Sequence, residues 1–285
     1  MGKFSGYLIC TDCDGTLTYE PGKVSEENAE AIRYFQKEGG KFTLATGRFP
    51  GHAHEFSDQI KINAPMVALN GTVLYDLENE KILHEWTATK EDYLELFDYI
   101  DCNYPEVWEC WINYTYQDSI SFKPGKTPVG DETSKKRMEP LPDAAAVGKE
   151  ALEKIFEPLP DGLYKALSFQ NTELTQALQK DLKEKFGHKF RFDTSWPEGL
   201  EIQPVHSGKG VAVQYMKEQM DYTIHTTIGV GDYENDLTLL ECADIGYAVE
   251  NALDSVKAVA DRVTVSNKEH AIAKIIYELE REMKK

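Results

Sequence analysis

Short apolar runs and amphipathic stretches alternate along the first part of the chain. The run Tyr7–Cys10 is followed by a pattern typical of a helix over residues 25–38, and then by a second apolar run, Lys41–Ala45. A serine before two glutamates marks the start of this helix, and a pair of glycines marks its end. A third apolar run covers Met66–Leu69. Such alternation predicts a parallel sheet with helices on its faces.

The last part of the chain repeats this alternation. The pattern predicts a helix over residues 208–220, a helix through 237–240, and a final helix that begins at Glu269. The predicted strands are Thr227–Val230, Ile245–Val249 and Arg262–Val265. Because both ends of the chain share one pattern, we expect them to contribute strands to a single sheet.

Residues 85–195 differ in composition, being polar and aromatic, and their pattern predicts both strands and helices. The predicted strands are Glu106–Ile112, Ser119–Phe122, Leu163–Phe169 and Phe190–Asp193, and the predicted helices are Lys90–Asp101, Ala145–Phe156 and Leu174–Phe186. We therefore predict an α/β fold, in which residues 1–84 and 196–285 form a Rossmann-like, doubly wound parallel sheet and residues 85–195 form an inserted α+β domain. Residues 123–143 are so rich in proline, glycine and charge that we expect a mobile loop there.

The composition is that of a folded, soluble protein, with 41% apolar and 28% charged residues among 285. A formal net charge of −18 argues against nucleic-acid and anionic-membrane partners. No apolar run reaches the roughly 18 residues of a membrane span, and the N-terminus lacks a secretory pattern. Five scattered cysteines without a Cys-x-x-Cys pair argue against a disulfide framework or a structural zinc site. We expect a cytoplasmic monomer or homodimer.

Polar residues follow several of the predicted strands at the point where each strand ends. Asp12 and Asp14 follow the first strand, Thr46, Gly47 and Arg48 follow the second, and Asn70 follows the third. The strand that ends at Val230 is followed by residues 231–236, which include Asp232, Asn235 and Asp236. Since ligands of open parallel sheets bind at the carboxyl ends of the strands, we expect these side chains to share one site.

The acidic residues at these ends allow several interpretations. A calcium loop that opens at Asp12 would need glycine and glutamate where Leu17 and Lys23 stand, which excludes an EF-hand. An acidic Asp14-Gly15 turn and a helix start capped by Asp232 remain open. Taken together, the acids instead predict a site for a hard cation with oxygen ligands, water and phosphate, the environment in which Mg²⁺ is usually held.

Lys209 supplies a positive charge that a phosphate ligand would need in so acidic a protein. A Walker P-loop is excluded because its serine or threonine is replaced by Gly210 and its first glycine by Gln203. A lysine at the start of a helix is mildly unfavourable for the helix dipole, which hints at a functional role. A solvated surface lysine remains the alternative.

Taken together, these motifs resemble one family, the haloacid dehalogenase superfamily, in its Cof-type branch of sugar-phosphate phosphatases with a type IIB cap domain. The resemblance covers nearly the whole chain. Its motifs are residues 12–17, 44–48, 69–71, 200–202, 208–210 and 231–236. The segment 123–143 has no counterpart in that pattern, which leaves substrate selection undetermined by the resemblance. The inserted domain at 85–195 would be the cap that selects the substrate.

The resemblance implies a catalytic role for each front acid. Asp12 would attack phosphorus to give an aspartyl-phosphate, and Asp14 would protonate the leaving group and then activate water. Mg²⁺ would be held by an Asp12 oxygen, the Asp14 backbone carbonyl and Asp232. Thr46 and Lys209 would hold phosphoryl oxygens as part of the catalytic machinery.

The resemblance also implies supporting residues and a substrate class. Asn235 and Asp236 would orient metal-bound water and the lysine ammonium, while Gly47, Arg48 and Asn70 would contact substrate or phosphate, with an exposed helix-start arginine as the alternative for Arg48. The ligand would be a small phosphorylated metabolite. A phosphomutase of the same superfamily, a non-catalytic phosphometabolite sensor and a structural scaffold are the competing hypotheses.

Overall fold

The computed structural model describes residues 2–56, 58–122, 149–220 and 223–284. The chain forms two compact units: the residues up to Glu85 together with those from Ser207 onward, and the segment Trp86–His206. Among the described residues, no helix has both the length and the apolar character needed to cross a membrane.

A parallel sheet is the centre of the first unit. Its strands, in spatial order, are β17 (Arg262–Val263), β16 (Ile245–Ala248), β15 (Thr226–Gly231), β1 (Tyr7–Thr11) and β4 (Lys41–Leu44). Every neighbouring pair runs parallel. The middle strands are buried apolar runs, as expected where helices cover both faces of a sheet. The predicted α/β class and the union of the two chain ends in one sheet are confirmed.

Helices and short strands complete the first unit. The helices are α1 (Glu26–Lys37), α5 (Lys209–Gln219), α6 (Leu237–Cys242), α7 (Asp254–Val259) and α8 (Ala271–Met283), and the strands are β2 (Thr18–Glu20), β3 (Lys23–Val24), β5 (Met66–Ala68), β6 (Val73–Asp76) and β7 (Lys81–Glu85). Short 3₁₀ turns cover Pro50–Phe56, Leu69–Gly71, Glu234–Asp236 and Asn267–Glu269. Helix α1 begins as predicted, because the Ser25 side chain accepts a hydrogen bond from the Asn28 amide.

Strand β5 differs from the prediction of a further parallel strand. It pairs antiparallel with β6, which in turn pairs with β7, in a sheet of three strands. A single parallel bridge between Ala45 and Val67 joins it to the segment after β4. The end of β5 therefore still lies beside the end of β4.

The second unit is an antiparallel sheet with helices packed on one face. The sheet order is β10 (Ser119–Phe122), β9 (Glu109–Asn113), β12 (Lys165–Phe169), β14 (Gly199–Pro204) and β13 (Phe190–Trp196). A separate pair joins β8 (Ala88–Thr89) to β11 (Gly162–Leu163). The helices are α2 (Lys90–Asn103), α3 (Lys149–Phe156) and α4 (Thr172–Phe186), and their apolar residues share one core with the sheet.

The boundary between the units lies later in the chain than the predicted change at residues 195 and 196. Strand β14 pairs with β12 and with β13, so residues 199–204 belong to the second sheet rather than to the parallel one. The second unit accordingly extends to His206. The predicted loop over residues 123–143 lies outside the described residues.

Candidate active site

The candidate site begins where β1 ends in the centre of the parallel sheet. The backbone N–H of Asp12 donates to the carbonyl of Val230 at 2.9 Å, and the N–H of Ala45 donates to the carbonyl of Thr11 at 2.8 Å. These bonds extend the strand pairing by one residue on each side of β1. The segments after β1, β4 and β15 are thereby held side by side, as the prediction from strand ends required.

Three carboxylates and one ammonium meet at this edge of the sheet. Carboxylate oxygens of Asp12, Asp232 and Asp236 lie within 4.8 Å of one another. The Lys209 ammonium donates to Asp12 Oδ1 and to Asp236 Oδ1, each at 2.6 Å, and the lysine side chain is fully buried. Three negative charges and one positive charge leave the group with a formal charge of −2. The lysine is therefore not a solvated surface residue.

Close contact between two backbone segments places Lys209. A Cβ atom on Gly71 would lie 2.2 Å from the carbonyl carbon of Gly208, and Gly71 adopts a φ of +87° that favours glycine. Gly208 caps the start of α5, so the helix begins with Lys209 directly beside the loop that carries Asn70. The glycines allow the two loops to touch.

The pKa values of the lysine and of two of the carboxyl groups are shifted, because these groups are buried close to one another. Burial lowers the pKa of Lys209, but Asp12 and Asp236 more than offset this effect, so the pKa lies above its usual value and the ammonium stays charged. Burial raises the pKa of Asp12; Lys209 opposes this rise, and the neighbouring carboxylates add to it. Burial and Asp236 raise the pKa of Asp232 to about 7. A bound cation would favour the ionised carboxylates.

Asp232 and Asp236 are fixed by hydrogen bonds within their own loop and from the first motif. Asp236 Oδ2 accepts from the backbone N–H of Asp232 at 2.9 Å and of Tyr233 at 3.2 Å. The Thr16 hydroxyl donates to Asp232 Oδ1 at 2.6 Å. Both oxygens of Asp236 are thus occupied, by Lys209 and by the backbone.

Asp14 lies outside this group and is bound by Arg48. The guanidinium donates to both carboxylate oxygens, each at 2.8 Å, and also to Glu55 Oε2 at 2.9 Å. The Asp14 side chain is 51% exposed, against 25% for Arg48. Arg48 is therefore not an exposed helix-start arginine without a specific partner, because it clamps the second acid of the motif.

Thr46 and Asn70 are buried and linked to each other through the backbone. The Asn70 N–H donates to the Thr46 carbonyl at 2.9 Å, and Asn70 has a left-handed φ of 57°. Its Oδ1 accepts from Asn235 Nδ2 at 3.2 Å. The Thr46 hydroxyl accepts from the Arg48 N–H at 3.2 Å, and Gly47 lies half-buried between them. The segments after three strands thus form one connected loop cluster.

Sequence reasoning missed two residues at the site, Thr16 and Glu55. Thr16 belongs to the first motif, and a hydroxyl group four residues after Asp12 could have been predicted to donate to a neighbouring carboxylate. Glu55 carries no such signal, because it lies in a short 3₁₀ turn and meets Arg48 only through the local fold. Cys13 is fully buried between the two acids, and burial raises its pKa well above the usual range, which disfavours the reactive thiolate.

This arrangement supplies oxygen ligands for a hard cation, a buried ammonium and a second carboxylate held nearby. A carboxylate that faces a cation and an ammonium can act as a nucleophile toward a phosphate ester, since the positive charges reduce repulsion of the incoming anion. A second, more exposed carboxylate can transfer protons. The geometry therefore favours phosphoryl transfer.

Comparisons with known proteins agree with this chemistry. Residues 9–276 match the family model of haloacid dehalogenase-like hydrolases. A phosphatase of Bacillus subtilis, YwpJ, is 27% identical across 95% of this chain and 99% of its own length. A second B. subtilis relative, the 5-amino-6-(5-phospho-D-ribitylamino)uracil phosphatase YcsE, is 25% identical across 94% of each chain.

A solved structure shows the same fold. The subclass IIB sugar phosphatase BT4131 of this superfamily superposes with a TM-score of 0.74 at 20% identity, covering 96% of this chain and 99% of that one. The family model spans nearly the whole chain, and the named relatives are phosphatases. The chain therefore belongs to the haloacid dehalogenase-like hydrolase family.

Proposed function

We propose that this phosphatase hydrolyses the monophosphate ester of a small metabolite, with sugar phosphates as its substrate class and Mg²⁺ as its cofactor. The observation that carries the proposal is the group of three carboxylates bridged by the Lys209 ammonium. It combines ligands for a hard cation with a fixed positive charge, which a phosphate needs in a protein of net charge −18. The names of the relatives, a ribitylamino-uracil phosphatase and a sugar phosphatase, support the substrate class.

The residues present fit Mg²⁺. Asp12 and Asp232 offer carboxylate oxygens within 4.8 Å of each other, and magnesium is usually held by one or two carboxylates together with waters and substrate phosphate. We propose the Asp14 backbone carbonyl as a further ligand. Asp236, with both oxygens already bonded, would orient Lys209 and the loop rather than bind the ion. When bound, the ion neutralises negative charge on the transferring group.

Asp12 is the proposed nucleophile. One of its oxygens is held by Lys209, which fixes the carboxylate plane and keeps a positive charge beside the incoming phosphate. Attack in line forms a bond from Asp12 to phosphorus and breaks the ester P–O bond, which leaves an aspartyl-phosphate. Thr46, the Gly47 amide, Asn70 and Lys209 are proposed to hold the other phosphoryl oxygens.

Asp14 is the proposed proton carrier. It gives a proton to the departing ester oxygen and then takes one from the water that cleaves the aspartyl-phosphate. Since Arg48 holds both of its oxygens in the structure, we propose that Arg48 acts on the reaction by positioning Asp14. Glu55 accepts a further bond from the same guanidinium, which holds Arg48 in place beside Asp14.

The full chain, assayed on p-nitrophenyl phosphate and on hexose 6-phosphates, tests this function. We expect turnover that is lost with EDTA, recovers with Mg²⁺ and passes through an acid-stable, hydroxylamine-sensitive phosphoprotein. Full activity after exhaustive chelation would exclude the metal role. Saturable binding of sugar phosphate without turnover would indicate a sensor, and transfer of the phosphoryl group to a second sugar position would indicate a mutase.

We also propose that the second unit selects the substrate. The motifs of the first unit recognise a phosphate and so cannot distinguish one ester from another. Discrimination then has to come from side chains elsewhere in the chain.

A further inference from the structure

The turn that follows Asp14 lies directly against the Asp232 carboxylate. Gly15 has a φ of +83°, a value that favours glycine, and a Cβ atom there would lie 2.5 Å from Asp232 Oδ2. The hydroxyl of Thr16 donates to the other oxygen of this carboxylate at 2.6 Å. Because the two segments are in contact, a displacement of the turn changes the position of the Asp14 backbone relative to Asp232.

Three asparagine side chains hold this turn by donating to its backbone carbonyls. The donor residues and their acceptors are Asn251 with Gly15 at 2.8 Å, Asn267 with Thr18 at 2.8 Å, and Asn28 with Leu17 at 3.5 Å, the longest of the three. The first asparagine follows β16, the second lies in the 3₁₀ turn before α8, and the third belongs to α1. The conformation of residues 15–18 thus depends on side chains from three separate parts of the chain.

Asn251 also belongs to a segment that is bonded to the Asp232 loop. Two residues after it, the backbone N–H of Leu253 donates to the Asp232 carbonyl at 3.1 Å. The Asn251 oxygen accepts from the backbone N–H of Asn267 at 2.9 Å, while its nitrogen donates to Gly15. A flipped amide would set like groups against each other at both contacts, so these bonds fix its orientation. This segment therefore joins the Gly15 turn to the loop of Asp232 through one side chain and one backbone bond.

Differences in exposure separate a local role from a role in folding. Asn28 is fully buried, and its oxygen also accepts from the Ala273 N–H in the first turn of α8 at 3.0 Å, so it contributes to the packing of two helices. Asn251 is exposed. Water can replace its hydrogen bonds, so they contribute little to the free energy of unfolding. What these bonds determine is the conformation of the turn.

We propose that Asn251 is a positioning residue for phosphoryl transfer, because it sets the separation of the Asp14 backbone and the Asp232 carboxylate. The inference rests on the proposed function, in which both segments hold Mg²⁺ together with Asp12. Magnesium requires a near-ideal octahedron of oxygens at about 2.0–2.1 Å, whereas Ca²⁺ accepts longer and more variable distances. Ligands on separate loops therefore have to be kept at a fixed separation to bind Mg²⁺ well. Without the Asn251 bond, the turn adopts that separation for a smaller fraction of the time.

Asn251→Ala tests this role, with Asn103→Ala as the matched control. Asn103 is also exposed, and its Nδ2 donates to the Tyr99 carbonyl at 2.8 Å in α2 of the second unit. We expect Asn251→Ala to weaken Mg²⁺ binding by about fivefold in calorimetric titration, which is the effect of about one hydrogen bond. Ca²⁺ binding should weaken by less than about twofold, so the ratio of the two affinities falls. Asn103→Ala should change neither affinity.

Turnover of p-nitrophenyl phosphate and urea unfolding give two further measurements. Asn251→Ala should need about five times more Mg²⁺ for half-maximal rate and keep KM for the ester within about twofold of the wild-type value, because its contact is with the backbone of the turn. Urea midpoints in EDTA should agree between Asn251→Ala and Asn103→Ala. A general loss of structure would instead lower the midpoint of Asn251→Ala and weaken the binding of both cations by one factor, and would overturn the assignment.

Asn267→Ala separates Asn251 from the rest of the turn. This variant removes the bond to the Thr18 carbonyl, leaves the backbone N–H from which Asn251 accepts, and should weaken Mg²⁺ binding by less than about twofold. An equal loss of Mg²⁺ affinity in Asn267→Ala and Asn251→Ala would show that the turn as a whole sets the ligand spacing, and would overturn the inference. So would an Asn251→Ala protein with the Mg²⁺ affinity and cation ratio of the wild type. A wild-type chain that neither binds Mg²⁺ nor hydrolyses p-nitrophenyl phosphate would overturn the proposed function itself.

Discussion

Replacing Lys209 by methionine tests the electrostatic reasoning most directly. The substitution keeps the length and much of the volume of a fully buried side chain and removes only the ammonium. Asp12 and Asp236, each bonded to that ammonium at 2.6 Å, then lose their shared cation. The buried group passes from a formal charge of −2 to −3.

We expect three effects: lower stability, tighter Mg²⁺ binding and slower turnover. Removing one partner of a buried ion pair typically costs about 3–5 kcal/mol, and here two carboxylates are affected, so the metal-free variant should lose ~3–5 kcal/mol of unfolding free energy at pH 8. Mg²⁺ affinity should rise, because the ion meets one more uncompensated negative charge. Turnover should fall by about 10² or more, since a preorganised donor to the phosphoryl group is lost.

Urea unfolding followed by circular dichroism in EDTA measures the first effect, and calorimetric titration with Mg²⁺ measures the second. Lys165→Met is the matched control, because it removes another buried lysine, bonded to Glu201 in the second unit. It should lower stability without raising Mg²⁺ affinity. Unchanged stability of the Lys209→Met protein in EDTA, or Mg²⁺ binding no tighter than in the wild type, would refute this account.

The remaining predictions concern Asp12 and Asp14, the Arg48 guanidinium that bonds Asp14, and the pH dependence of stability. Asp12→Asn should abolish the trapped phosphoprotein. Asp14→Asn should slow the turnover of sugar phosphates by about 10² to 10⁴ and that of p-nitrophenyl phosphate by less, because p-nitrophenolate leaves without needing a proton. Equal defects of Asp14→Asn on both substrates would contradict the proposed roles. Arg48→Met, like Asp14→Asn, should slow sugar-phosphate turnover more than p-nitrophenyl phosphate turnover, but by a smaller factor and with little change in KM. A large rise in KM alone would instead indicate that Arg48 binds the substrate. Since the pKa of Asp232 is raised to about 7, its contribution to stability is fully present below about pH 4 and is lost as pH rises through 7. Metal-free wild type should therefore lose up to about 4 kcal/mol more than Asp232→Asn between pH 4 and 8 in urea unfolding, and identical pH profiles would show that the carboxyl is not perturbed.

The parallel sheet and its polar edge were predictable because each buried strand is an uninterrupted apolar run that ends at a polar motif. Asp12 and Asp232 each follow such a run, so strand order alone brings them together. Lys209 opens helix α5 and is placed by the close contact between Gly208 and Gly71. The pairing of Arg48 with Asp14 was not predictable, because it depends on the loop conformation between residues 34 positions apart. From the sequence, Arg48 could be interpreted either as a substrate contact or as an exposed arginine at a helix start.

Two features of strand pairing also escaped the prediction, for different reasons. The run Met66–Ala68 is buried throughout, so its pattern does not distinguish a parallel from an antiparallel strand. Residues 199–204 did carry a signal, since Leu200 and Ile202 alternate with Glu201 and Gln203 as in an antiparallel strand with two different faces. Assigning that segment to the parallel sheet overlooked this alternation.

The position of β1 between β15 and β4 has a consequence for how the protein is made. Asp12 meets Lys209 across 197 residues of chain, and β1 gains one of its two neighbours only when residues 226–231 have left the ribosome. Until then, β1 keeps one edge unpaired, which exposes it to wrong pairing during synthesis. The inserted unit, which has a core of its own, is completed earlier, so we expect phosphatase activity to appear only after that unit has folded.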